Sequence, residues 1–268
     1  MIKICIQNLK GGTAKTSTAV NLGHALALDG KRVLLVDTDS QGHVATHLGL
    51  KHDTTIYDLI SQDTAVEECI VNARPNLDCI LSDKTAAVLD LMLVNTPRRE
   101  EILRMRMRRV TGYDFILIDC SPSLSLMHQN ALLYASHLLI PISMDTLALA
   151  GATSILESGK MLLKYFESEL KILGVVPTFF DVRTNISKEV LSFVERTYSP
   201  LCKVFSPIRV DTKLKEAAAA HKTIFEYESK SRSAEDYATL AKEIDTVVGE
   251  EQNVVVKQKP KPQKAASR

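Results

Sequence analysis

A short apolar run, Ile2–Ile6, leads into Lys10-Gly11-Gly12-Thr13-Ala14-Lys15-Thr16, and a helical pattern follows from Thr16 to Leu28. Strand, glycine-rich turn and helix in that order constrain this chain more than any other feature. Gly11 and Gly12 lack a Cβ, so the backbone can take tight dihedrals and bring its N–H groups close to an anion. A helix starting there adds free amides and its dipole. The loop is therefore expected to hold phosphates. Lys15 is placed to neutralise the β- and γ-phosphates, and the Thr16 hydroxyl to coordinate Mg²⁺. The commoner spacing G-x-x-x-x-G-K-[ST] is broken at Leu9 and Ala14. Ala14 falls where the helix starts, so helical dihedrals are expected there.

Further apolar runs occur at Val33–Val36, Leu77–Leu81, Phe115–Ile118, His137–Ile142, Ile172–Pro177 and Val204–Phe205. Several are apolar on consecutive residues, as in strands covered on both faces. Helical patterns lie between them at Arg98–Val110, Leu126–Ala135, Gly151–Leu170, Ser187–Tyr198 and Ser233–Val248. This alternation predicts a doubly wound α/β fold, a mostly parallel sheet with helices on both faces. The 268 residues, 45% of them apolar, suit one large domain, placed at 1–249. Near Glu250 the composition shifts. Residues 257–268 hold five basic residues, two prolines and no acid, so 250–268 is read as a basic, disordered tail.

The net charge of +1 gives no global pull toward nucleic acid or membrane, so any such contact must be a local patch. Cys5, Cys69, Cys79, Cys120 and Cys202 are odd in number and contain no C-x-x-C pair. They read as buried free thiols of a reducing compartment. No secretory pattern opens the chain, and no apolar run approaches the roughly 20 residues that span a bilayer, so a cytoplasmic protein is expected. Asp37 and Asp39 leave the carboxyl end of the second strand, where ligands bind in parallel sheets. Phe115–Ile118 followed by Asp119 puts another carboxylate at a strand end, near Mg²⁺. Arg98–Arg109 reads as an amphipathic surface helix, with Ile102, Met105 and Arg109 on one face and Leu103, Arg106 and Val110 on another.

The loop Lys-Gly-Gly-x-x-Lys-Thr resembles the deviant Walker A motif of the ParA/MinD group of ATPases, with Lys10 at its signature lysine. Asp37-Thr38-Asp39-Ser40-Gln41-Gly42 resembles that group's switch I, D-x-D-P-Q-G, with Ser40 for proline. Asp119-Cys120-Ser121-Pro122-Ser123 resembles its switch II, D-C-P-P-S, with Ser121 for a proline, and Cys120 reads as packing. Thr178–Asn185 is similar to T-M-x-D-x-R-T-N. Ile208–Ala217 is similar to I-P-R-x-V-R-L-S-E-A, with Arg209 and Val210 in place of proline and arginine. The likeness runs over about Met1 to Val248 and is nearest to the ParA/Soj partition ATPases.

This resemblance implies an ATPase that takes ATP and Mg²⁺. It gives nucleotide contacts to Lys10, Gly11, Gly12, Thr13, Ala14, Lys15, Thr16 and Ser17, with Asp181 and Ile208 framing the adenine. Thr16, Asp37 and Asp119 fall to the magnesium shell, and Asp39 to orienting the attacking water. Lys10 is implied to reach across a nucleotide sandwich homodimer to the partner's phosphates, as an arginine finger does. The dimer is implied to hold duplex DNA nonspecifically through Arg183, Lys213 and Lys215, on the nucleoid. A ParB-like or other partner is implied to stimulate hydrolysis, and the cycle to position a plasmid, chromosome or other cargo. The MinD-like alternative, a membrane-associated regulator, needs a terminal amphipathic helix with apolar anchors. The lysine–proline tail has no leucine or phenylalanine, so no membrane is expected.

Overall fold

In this computed structural model the described residues are 1–145 and 170–258, with side chains described to Glu251. The helix expected at Gly151–Leu170 lies outside them but for its last residue. The described strands are β1 (Ile2–Ile6), β2 (Val33–Asp37), β3 (Ile70–Arg74), β4 (Leu77–Ile80), β5 (Phe115–Asp119), β6 (His137–Ser143), β7 (Lys171–Thr178) and β8 (Lys203–Val204). They form an eight-stranded sheet in the order β3-β4-β2-β5-β1-β6-β7-β8. Every neighbouring pair is parallel except β3 with β4. The expected mostly parallel α/β sheet is present, and the antiparallel edge strand β3 is an addition to it.

Ten α-helices are described: α1 (Lys15–Leu28), α2 (His43–Leu48), α3 (Ile56–Ser61), α4 (Leu89–Met92), α5 (Ile102–Arg106), α6 (Leu126–Tyr134), α7 (Asn185–Tyr198), α8 (Thr212–Ala219), α9 (Ile224–Tyr227) and α10 (Arg232–Gln258). Alternate residues of the central strands enter two cores, one on each face. Cys5, Leu34, Val36, Ile116 and Ile118 pack with Leu59 of α3, Leu103 of α5, Ala131 of α6 and Val190 of α7. Ile4, Ile6, Val33, Leu35 and Leu117 pack with Leu22 of α1 and with Tyr237 and Leu240 of α10. Burial on both faces is why these strands are apolar at consecutive positions.

Two expectations change. The segment Arg98–Val110 is not one helix. A 3₁₀ turn at Arg99–Glu101 precedes α5, and another at Met107–Arg109 follows it. The change of pitch rotates the apolar face, so Met107 and Val110 are buried with Ile102 and Leu103, while Met105 is exposed. At the other end, α10 runs on to Gln258, past the boundary drawn at 249. Residues 259–268 lie outside the described residues. All five cysteines are free, four of them buried. Cys5 Sγ lies 3.4 Å from Cys120 Sγ, consistent with packing.

The pairing registers Ile6 with Asp119 and Asp37 with Asp119. The carboxyl ends of β1, β2 and β5 therefore meet at one point, at the middle of the sheet.

Candidate nucleotide site

The loop after β1 is pinned before it turns. Asn8 Nδ2 donates to Pro141 O at 2.7 Å, and its Oδ1 accepts from the Lys10 amide at 2.9 Å. Thr178 Oγ1 donates to Thr13 O at 3.2 Å. Gly12 has φ 73°, the left-handed region that glycine takes without strain. Ala14 also lies there, at φ 65° and ψ 29°, and not in the helical region expected of it. The chain must reverse at that residue to aim the first turn of α1 into the cleft. A Cβ in this conformation costs about 1–2 kcal/mol. Ala14 supplies no side-chain cap, so the first amides of α1 are left for a ligand.

These amides face a cleft of ≈ 900 Å³ bounded by Gly11–Ser17, Asp39–Gln41, Ser121–Ser123 and Phe179. That volume is in the range that suits a nucleotide. Lys15 Nζ donates to Lys10 O at 3.2 Å. Burial lowers its pKa, against the pull of Asp119 and Asp39.

At the cleft floor Thr16 Oγ1 donates to Asp119 Oδ2 at 2.6 Å. Asp119 Oδ1 is buried with no protein partner. An orphaned buried acceptor costs about 1–3 kcal/mol, and a hard cation coordinated by oxygen removes that cost. Hydroxyl, carboxylate and orphan together fit Mg²⁺. Burial pushes Asp119 up to about 7, Asp39 adding to it and the Thr16 hydrogen bond and Lys15 opposing. A carboxyl raised in the folded state stabilises the fold fully only below its unfolded pKa, and that contribution is lost as pH rises through the folded value. The metal-free protein is therefore expected to lose thermal stability as pH rises from about 4 to about 7. Asp119→Asn should flatten that slope in melting curves recorded in EDTA. An unchanged slope would refute the assignment.

Asp37 is held differently from the expected ligand. Its Oδ1 accepts from the Asp39 amide at 2.9 Å and its Oδ2 from the Val44 amide at 3.2 Å. Both oxygens are committed to main chain, so Asp37 orders the switch I loop and the start of α2. Thr16 and Asp119 would hold a cation here. Gly42 completes this turn: at φ 61°, a Cβ there would lie 2.6 Å from Ser82 O. Asp39 lines the cleft, with Oδ1 accepting from the Gln41 amide at 3.0 Å.

Lys10 stands apart. Its Nζ donates to both oxygens of Asp145, at 2.8 and 2.9 Å, and Ser143 Oγ donates to the same carboxylate at 2.7 Å. The cleft is bounded from Gly11 onward and does not include Lys10.

The two residues implied to frame the adenine both turn away from the cleft lining. Ile208 is 2% exposed, its side chain in the core and its carbonyl accepting from the Phe180 amide at 3.0 Å. Asp181 turns to Arg183, whose guanidinium donates to it at 2.9 and 2.7 Å and holds the carboxyl at about 2. Neither residue lines the cleft. Phe179 does, exposed and left-handed at φ 57°. The residue following the carboxyl end of a strand was the available signal for it.

The segments implied in DNA contact do lie side by side, bridged at Phe180 and Arg209. Arg183 is paired with Asp181, and Lys213 Nζ lies 2.8 Å from Glu216. Lys215 is exposed and forms no ion pair among the described residues. Arg209 is held by Asp236, Glu235 and the carbonyl of Arg232, tying this segment to α10. The basic residue at the departure is thus structural.

Sheet order, loop and carboxylates together define a P-loop NTPase of the deviant Walker A class. A family model described as an AAA domain matches residues 1–172. The sporulation initiation inhibitor protein Soj of Bacillus subtilis is 38% identical over 247 residues, covering 90% of this chain and 97% of that protein. The chromosome partitioning protein ParA of Caulobacter vibrioides is 33% identical over 249 residues, covering 90% and 92%. Among solved structures, cobyrinic acid a,c-diamide synthase of Mycobacterium smegmatis, with bound ADP and magnesium, superposes with a TM-score of 0.79 at 27% identity. That match covers 95% of this chain and 96% of that one. The chain belongs to the Soj/ParA family of partition ATPases.

Proposed function

We propose that this protein binds ATP with Mg²⁺, pairs with a second copy, and in that state holds duplex DNA without reading its sequence. Hydrolysis, stimulated by a ParB-like or other partner protein, reopens the pair. Different affinities for DNA in the two states give the cycle its direction and move a cargo over the nucleoid, in the cytoplasm. The observation that carries this reading is Lys10, a cation on the phosphate loop whose ammonium lies outside its own cleft. A group so placed is available to a neighbouring nucleotide. The loop amides and Lys15 bind the triphosphate, Thr16 and Asp119 hold the cation, and Asp39 orients water. Mg²⁺ held there would offset phosphate charge. Among the described residues no helix is long and apolar enough to cross a membrane.

The test is duplex-DNA binding with ATP, with ADP and without nucleotide, at several salt concentrations. Binding is expected with ATP alone, falling steeply and linearly in log–log form with salt, equally for unrelated sequences. Lys215→Glu should lower the salt slope by about one for each phosphate that a protomer no longer neutralises. Binding that ignores the nucleotide, or that prefers one sequence, would overturn the proposal.

A further inference from the structure

Gln7 and His128 lie beside the nucleotide cleft, and the functions assigned above use neither. Gln7 is the residue after β1, where the phosphate loop begins. His128 is in the first turn of α6, just after the switch II loop that forms part of the cleft wall. Both are buried, Gln7 at 6% and His128 at 2% exposed. His128 Nδ1 lies 2.9 Å from Ser123 O and 2.9 Å from Gln7 Nε2. A carbonyl oxygen only accepts, so Nδ1 carries the hydrogen, and the Gln7 amide is turned to present its oxygen, so that Ser123 O and Gln7 share the Nδ1–H. Burial keeps the ring neutral, with Lys15 adding to that effect.

Among the described residues, no main-chain hydrogen bond ties residues 121–124 to the sheet. The His128 ring is the side chain that reaches a main-chain atom of that loop. The ring's other nitrogen, Nε2, and the Gln7 amide atom turned away from the ring are buried without partners. Two open polar atoms leave this network incomplete.

We propose that His128, braced by Gln7, is a positioning residue for hydrolysis: its Nδ1–H registers the switch II loop against the phosphate loop. The inference rests on the ATPase reading above. Asp119 and Ser123 belong to one short segment, so the hydrogen bond at Ser123 fixes how that segment leaves the sheet beside the cation site.

The substitutions to compare are His128→Leu, which removes the donor, and His128→Asn, whose amide N–H can take the place of Nδ1–H. Hydrogen–deuterium exchange of segment 120–126 without nucleotide reads the tie itself. Steady-state hydrolysis of Mg·ATP reads its consequence. His128→Leu should exchange faster, keep KM within about twofold and lose on the order of 10- to 100-fold in kcat. His128→Asn should restore slow exchange and keep kcat within about threefold of the parent. A merely structural histidine would lower melting temperature in both variants with no split between kcat and KM. Gln7→Leu, which removes the brace and keeps the ring, repeats the test if His128→Leu does not fold. Parental exchange or parental kcat in the leucine variant overturns the inference, as does an equal loss in both His128 variants. A parent protein that does not hydrolyse ATP sinks the ATPase reading instead, and the exchange comparison still decides the tie.

Discussion

Lys10→Ala is expected to bind Mg·ATP within about threefold of the parent and to lose on the order of 10³-fold of the turnover of the ATP-bound pair. The Lys10 ammonium is engaged by Asp145 at 2.8 Å and takes no part in the cleft beside it. Ground-state affinity for the chain's own nucleotide is expected to come from Lys15, the loop amides and the cation site. A group that acts only on the transition state lowers kcat and leaves binding alone. Lys15→Ala should behave in the opposite way, losing the nucleotide outright. The Lys10–Asp145 pair is partly exposed, so it contributes about 0.2–1 kcal/mol, little enough for a partner's phosphates to displace it where two copies pair. Asp145→Asn weakens that competition and should let the pair form at lower ATP, seen by sedimentation with ATP present. Parental turnover by Lys10→Ala would remove the role in trans.

What could be read from the sequence follows burial. β1, β2 and β5 are covered on both faces, so their apolar runs stand out without any partner being known. β3 is an edge strand whose pattern is mostly half-buried, with Asn72 exposed, and Ile70–Arg74 therefore carries little apolar signal. The loop chemistry was legible because glycine, lysine and threonine are needed there for reasons of geometry and charge. Motif spacing could not say which atom of a residue meets the ligand. Ile208 lies in the expected segment, yet its side chain faces the core, and a left-handed backbone at Phe179 brings that ring to the cleft instead. Asp37 likewise stands at a metal-site position, while its two oxygens serve the amides of residues 39 and 44. The 3₁₀ turns flanking α5 shifted the buried face from Met105 to Met107, because a change of pitch is invisible to a 3.6-residue pattern.

Asp39→Ala is expected to bind ATP and pair with a second copy, but to hydrolyse on the order of 10²- to 10⁴-fold more slowly, so that the pair accumulates. Asp39 is 7% exposed at the cleft wall, on a loop that Asp37 and Gly42 hold in place. Its Oδ1 accepts from the Gln41 amide, and the carboxylate would orient water by accepting a hydrogen bond from it. The triphosphate is expected to bind without this carboxylate. Asp39→Asn separates chemistry from local structure, since an amide oxygen still accepts from Gln41 but no longer carries charge. If Asp39 acts on water, both variants stall with ATP bound, and light scattering shows a lasting pair. If the residue only caps its loop, Asp39→Asn hydrolyses at the parental rate and the role in catalysis fails. Monomer alone in the presence of ATP, for both variants, would count against the pairing as well.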